Sequence, residues 1–122
     1  MSTEKHPGKR ICQIIKLKPE YLEKYKECHQ QIWKPVAENL TKYHIEDYSI
    51  HYSPQFGILI ATMKYTGDNW EKDAEASRND PGNFEWWQMT DEMQETLVEG
   101  STGSRDEKGW WLNLEEVFRF DH

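Results

Sequence analysis

Apolar and polar residues alternate along this chain with two different periods, and the changes of period mark its elements. From Arg10 to Leu17, Ile11, Ile15 and Leu17 share one side with Gln13, while Cys12 and Ile14 share the other with Lys16. That period of two predicts a strand largely covered on both faces. The period then lengthens. From Pro19 to Leu40 the residues Leu22, Tyr25, His29, Ile32, Trp33, Val36 and Leu40 recur at spacings of three and four, with Glu23, Lys24, Lys26, Glu27, Gln30 and Lys34 between them. This predicts an amphipathic helix opened by Pro19 at its first turn. Pro35 lies inside the pattern, removes a helical hydrogen bond and predicts a kink or an interruption just after Trp33.

Period two returns at residues 45–52, with Tyr48, Ile50 and Tyr52 on one face and Ser49 and His51 on the other. A turn over 53–57 and the β-rich run 57–65 complete a predicted antiparallel hairpin. Asp68 with Glu71 forms a capping-box-like start for a helix through about Ser77, and Asp80-Pro81 opens another that carries Phe84, Trp86, Trp87, Thr90, Met93 and Leu97. Residues 100–109, with three glycines, read as a loop that is either a connector or a lid. The final run alternates Leu112, Leu114, Glu116, Phe118 and Phe120 against Glu115, Val117 and Arg119, and predicts a last strand. The order β, α, β, β, α, β is the ferredoxin-like, α+β arrangement of one antiparallel sheet with helices on one face. The other sheet face then needs a cover, so a homodimer is expected. Residues 1–9, without periodicity, are expected to be a flexible leader, and 10–122 a single domain.

Composition narrows the partners. The 122 residues carry a net charge of −7 without a basic cluster, which disfavours nucleic acid and anionic membrane surfaces. No apolar run is long enough for a transmembrane helix, and the polar start lacks the core of a secretory signal, so a cytoplasmic location is expected. Cys12 and Cys28 fit no metal or redox spacing and read as reduced and buried. Six Trp, six Tyr and four Phe point to an aromatic core or interface.

Three features go beyond packing. Tyr25, His29 and Trp33, four residues apart, project from one helix face and place a group that titrates near neutrality among aromatic rings. That histidine is either a satisfied core residue or the floor of a pocket. Trp86 and Trp87 are adjacent, so only one can point fully into a core and the other must line a groove or a subunit contact. Glu116 falls on the apolar face of the last strand, where it needs a partner such as Arg10, Lys16 or a backbone N–H, or has a catalytic or sugar-binding role. Aromatic walls with a few hydrogen-bonding groups suit a carbohydrate. No phosphate loop, Ser/His/Asp signature or metal spacing is present, which leaves acid–base work by His29.

Tyr25-x-x-x-His29-x-x-Ile32-Trp33, the strand Tyr48-Ser49-Ile50, the segment Trp86-Trp87-x-Met89-Thr90-Asp91-x-Met93 and the ending Leu114-Glu115-Glu116-Val117-Phe118 together resemble the L-rhamnose mutarotase family. The resemblance runs from the first strand to the last. It implies a dimeric α+β barrel of ferredoxin-like subunits that interconverts the α and β anomers of a 6-deoxy sugar without metal or other cofactor. It further implies that His29 is the proton donor and that Tyr25, Tyr48, Trp86 and Trp87 contact the sugar, with Trp33 and Glu116 as possible support. Family members usually have Pro directly after the motif Trp and Gly near the helix end; here Lys34 precedes Pro35, and His44 stands near the expected Gly. The segment between Trp70 and Trp86 and the loop 100–109 look longer than in the bacterial pattern. Two other functions fit the same features: a non-catalytic sugar or small-metabolite binding module, and a cofactor-free oxygenase of the dimeric α+β barrel type.

Overall fold

The structure is a computed structural model and describes residues 5–121. Strand β1 (Lys9–Leu17) is followed by a single turn of 3₁₀ helix (Pro19–Tyr21) and helix α1 (Leu22–Cys28). Helix α2 (Lys34–Lys42) leads into strands β2 (Ile45–Ser53) and β3 (Ile58–Tyr65), then helix α3 (Trp70–Arg78), a second 3₁₀ turn (Pro81–Asn83) and helix α4 (Phe84–Met93). Two short strands close the chain, β4 (Gln94–Glu95) and β5 (Leu112–Asn113). The class is α+β, as expected.

The sheet is antiparallel in the order β2-β3-β1-β4, with β5 also paired to β1. Register fixes its two faces, because residues directly opposite point the same way. Ile15 opposes Leu59, Gln13 opposes Ala61 and Ile11 opposes Met63. On this face Ile15, Leu17, Leu59, Ala61, Met63 and Tyr65 are buried under the helices. The opposite face presents Cys12, Ile14, Ile60 and Thr62, all half-buried. At the β2–β3 turn Gly57 takes a positive φ of 65°, a conformation open to glycine.

Of the two outcomes expected at Pro35 the interruption is found, and two further expectations are corrected. The helix predicted over Pro19–Leu40 is two helices, because a proline ring clashes with the carbonyl four residues back and a continuous helix cannot pass Pro35. The chain leaves α1 at Cys28, and Pro35 lies in the first turn of α2, where its missing N–H costs nothing. The capping box at Asp68 is displaced by one residue: Asn69 is the N-cap of α3 and its side chain accepts from the Lys72 N–H. The last strand is two residues rather than ten. β5 pairs with Gln13 and Ile14 alone, and the edge of β1 farther along is taken by β4, which pairs with Lys16 and Leu17. After Leu114, whose N–H reaches the Cys12 carbonyl at 2.9 Å, the chain leaves the ladder, and among the described residues no second layer covers Val117 and Phe118, which are 88% and 80% exposed. Farther on, the segment returns to the residues just before β1, where Arg119 bonds the carbonyls of His6 and Gly8 and Asp121 accepts from the N–H groups of Lys5 and His6. Of the expected leader, residues 1–4 lie outside the described residues.

Asp80 joins the helices. Its carboxylate accepts from the Tyr43 hydroxyl at 2.6 Å, the Lys42 ammonium at 3.2 Å and the Gly82 N–H at 2.9 Å, tying the end of α2 to the entry of α4. These donors, the Tyr43 hydroxyl foremost, hold its carboxyl well below the usual carboxylate range.

Candidate active site

The concave face of the sheet and helices α1, α2 and α4 enclose a cavity of about 730 Å³ lined by Tyr25, His29, Tyr48, Trp86 and Trp87. That volume lies within the roughly 300–1,000 Å³ typical of small-molecule sites. A contiguous recess of about 280 Å³ shares those five residues and adds Gln13, Gln94, Trp110, Trp111 and Asn113. The cavity walls mix aromatic rings with aliphatic side chains, and the recess adds polar groups, among them Asp73, Arg78 and Gln94.

His29 reaches the cavity because α1 stops just before it. As the C-cap residue it has helical φ/ψ but no following turn, so its ring folds back along the helix onto Tyr25. The two rings stack with centroids 4.2 Å apart, and Trp86 meets the imidazole edge-on at 5.1 Å. His29 Nδ1 lies 2.7 Å from the Tyr25 carbonyl oxygen. A carbonyl can only accept, so Nδ1 carries the hydrogen and the neutral ring keeps its lone pair on Nε2. The Cys28 thiol also donates to that carbonyl, at 3.2 Å. Burial disfavours the imidazolium and moves the His29 pKa below its ordinary value, while the bond to the Tyr25 carbonyl opposes the shift.

Tyr25 is buried, and desolvation, with the neighbouring Tyr48 second, raises its pKa far enough that the phenol stays protonated at any working pH. Tyr48 stands across the cavity. Although 39% of the residue is exposed, burial of its hydroxyl end pushes its pKa up to about 12. Both phenols are therefore hydrogen-bond donors and acceptors here and not bases.

The adjacent tryptophans divide as their helical spacing requires. Trp86 is 6% exposed and inserts between His29 and Trp33, whose ring it meets at 5.2 Å, while Trp87 is half-buried on the cavity wall. Trp33 is the N-cap of α2 and 41% exposed; it backs Trp86 and is not part of the cavity wall. Tyr25, His29, Tyr48, Trp86 and Trp87 are thus brought together, with Trp33 behind them. Glu116 is not: it is exposed on the segment after β5, away from this wall.

Sequence spacing missed Gln13, Gln94, Trp110 and Asn113. Gln13 and Asn113 face the recess from paired strands and bond each other at 2.8 Å. The loop 100–109 delivers Trp110. Asp91 on α4 accepts from the N–H and hydroxyl of Ser104, and the Arg105 guanidinium sits 3.6 Å from the Phe84 ring centroid, so the loop is fastened to α4 on both sides. Gly109 then takes a φ of 87° and turns the chain inward. The only sequence signal for this was the pair Trp110-Trp111 directly after a glycine. Among the described residues no cluster of three His, Cys, Asp or Glu is grouped to hold a metal ion, and no helix is long and apolar enough to cross a membrane.

A family model for L-rhamnose mutarotase matches residues 10–120. An L-rhamnose mutarotase of Bacteroides thetaiotaomicron is 31% identical over 109 residues, covering 86% of this chain and 91% of that protein. One from Oceanobacillus iheyensis is 28% identical over 109 residues, covering 88% and 94%. The crystal structure of an L-rhamnose mutarotase from Formosa agariphila aligns with a TM-score of 0.69 at 24% identity, over 92% of this chain and 98% of that one, a likeness of fold.

Proposed function

The chain belongs to the L-rhamnose mutarotase family of isomerases, and on that footing we propose that it interconverts the α and β anomers of a 6-deoxy sugar such as L-rhamnose, with His29 as the acid–base residue. The observation that carries the role of His29 is its bond to the Tyr25 carbonyl, which leaves Nε2 as the nitrogen available to a ligand in an aromatic-walled cavity.

Mutarotation opens the ring hemiacetal and recloses it on the other face. Nε2 takes the proton of the anomeric hydroxyl as the carbonyl forms and the bond from the anomeric carbon to the ring oxygen breaks. The imidazolium returns that proton to the ring oxygen, and closure retraces the path after the carbonyl turns. The lowered pKa keeps the resting imidazole neutral and makes its cation a ready donor. Tyr25 donates a hydrogen bond to the ring oxygen while charge develops on it, and Trp86, Trp87 and Tyr48 hold the sugar faces and hydroxyls.

Two further aspects belong to this reading. A homodimer closing a barrel is supported by the half-buried Cys12, Ile14 and Ile60 and the exposed Leu112, Leu114, Val117 and Phe118, which a second copy would cover. A cytoplasmic location is supported by the two free cysteines. The substrate is tested by scoring anomer exchange by NMR across L-rhamnose, L-fucose, D-glucose and D-ribose. Exchange catalysed best for L-rhamnose supports the reading. Shifted resonances without exchange would instead make the protein a binding module.

A further inference from the structure

Two hydrogen bonds behind Tyr25 connect it to Trp110, at the end of the loop 100–109. The Trp110 indole Nε1 lies 2.9 Å from Gln94 Oε1, and Gln94 Nε2 lies 3.3 Å from the Tyr25 hydroxyl oxygen. An indole N–H can only donate, so it selects which end of the Gln94 amide faces it, and the NH₂ end is left to face Tyr25. We propose that Gln94, its amide set by Trp110, is a positioning residue that occupies a lone pair of the Tyr25 hydroxyl and frees that hydroxyl's hydrogen to point at the substrate. This rests on the mutarotase reading above, in which Tyr25 is the donor to the ring oxygen.

Both ends of the relay are held. Gln94 is 4% exposed and follows α4 directly, in the short strand paired to Leu17 of β1. Trp110 is anchored through its own carbonyl, which accepts from the Thr96 hydroxyl, and that hydroxyl oxygen in turn accepts from the Val98 N–H at 3.0 Å. The Asp91–Ser104 contacts fix the loop that precedes it. None of the described residues accepts from the Tyr25 hydroxyl, so its hydrogen has the cavity as its outlet. Were the amide reversed, the carbonyl oxygen of Gln94 would attract that hydrogen and turn it away from the sugar. The loop thereby does more than join β4 to β5: through Trp110 it fixes the polarity of a buried amide.

Gln94→Glu tests this, because a carboxylate keeps the shape and still accepts from Trp110 but accepts from Tyr25 as well. Kinetics of L-rhamnose anomer exchange should show kcat reduced at least about ten-fold at pH 8 with KM within about three-fold of the unmodified protein. A protonated carboxyl can donate to Tyr25 as the amide does, so the ratio of variant to unmodified kcat should rise as pH falls. Gln94→Met, which can neither donate nor accept in this way, should show a deficit whose ratio does not change with pH. Trp110→Phe should lower kcat by a smaller factor, since the freed amide samples both orientations. Near-UV circular dichroism across the same pH range separates these effects from unfolding. A Gln94→Glu protein that is folded and as active as the unmodified one at pH 8, or whose ratio is flat with pH, overturns the relay while the mutarotase reading stands. An unmodified protein without exchange on any sugar overturns that reading and the relay with it.

Discussion

His29 Nδ1 donates to the carbonyl of Tyr25, the same residue whose ring stacks on the imidazole, so one residue four positions back sets both the tilt and the tautomer of the histidine. The same carbonyl also accepts the His29 backbone N–H at 3.3 Å, the last rung of α1. The helix ends there, and Tyr25 and Trp86 close on the imidazole, with Trp33 packed behind Trp86.

The pH dependence of kcat/KM follows from the burial of His29. The active form of the free protein is the neutral imidazole, and burial holds its pKa below the ordinary value of about 6.5. kcat/KM should therefore be level above neutrality and fall on the acid side with a midpoint below 6.5. The same shift has a stability counterpart: a depressed folded pKa contributes stability that is present above the unfolded value and lost as pH falls through the folded one. Chemical denaturation at pH 8 and pH 5 should show the unmodified protein losing more stability on acidification than His29→Asn. An acid limb centred at or above 6.5 would contradict the buried neutral ring.

Trp86 and Trp33 touch each other but should behave differently when truncated. Trp86→Ala empties a buried site beside His29 and should cost about 3–5 kcal/mol as well as most of the activity. Trp33→Ala removes a partly exposed ring that backs Trp86 and should change stability by about 1 kcal/mol or less while raising KM a few-fold. Thermal unfolding together with saturation kinetics checks both.

His44 occupies a position shaped for glycine. It follows the C-cap of α2 with φ 66°, in the left-handed region that Cβ disfavours. Its ring meets Tyr65 edge-on with centroids 6.5 Å apart, a long contact that returns little. His44→Gly should raise the stability by up to about 1 kcal/mol with anomer exchange unchanged, as read by urea unfolding. A loss of stability would show that the His44 ring contributes more than the backbone strain costs.

Much of this site was legible as spacing. The interval of four between Tyr25 and His29 survives as a stacked pair because both lie within or at the end of one helix, and the adjacency of Trp86 and Trp87 forced one inward and one to the wall. The interval from His29 to Trp33 was misleading as a helix face, yet Trp33 returns to the cluster through Trp86. Pattern could not show the length of the last strand. Leu112 to Phe120 alternates as a strand should, but alternation records which side chains seek cover, and among the described residues nothing covers Val117 and Phe118. Nor could spacing reveal Gln94 and Trp110. They meet Tyr25 only through tertiary packing, and a buried glutamine next to a helix end has no periodic signature.

The central claim is that His29 moves the proton, and the most direct measurement is NMR saturation transfer between the anomers of L-rhamnose with the unmodified protein and with His29→Asn at pH 7.5. Asparagine retains hydrogen-bonding capacity and similar bulk but cannot accept and return a proton in this range. The account predicts rapid exchange with the unmodified protein and exchange at the uncatalysed rate with the variant, the two having superimposable circular dichroism and both binding the sugar. A folded His29→Asn protein that exchanges the anomers at the unmodified rate would contradict it.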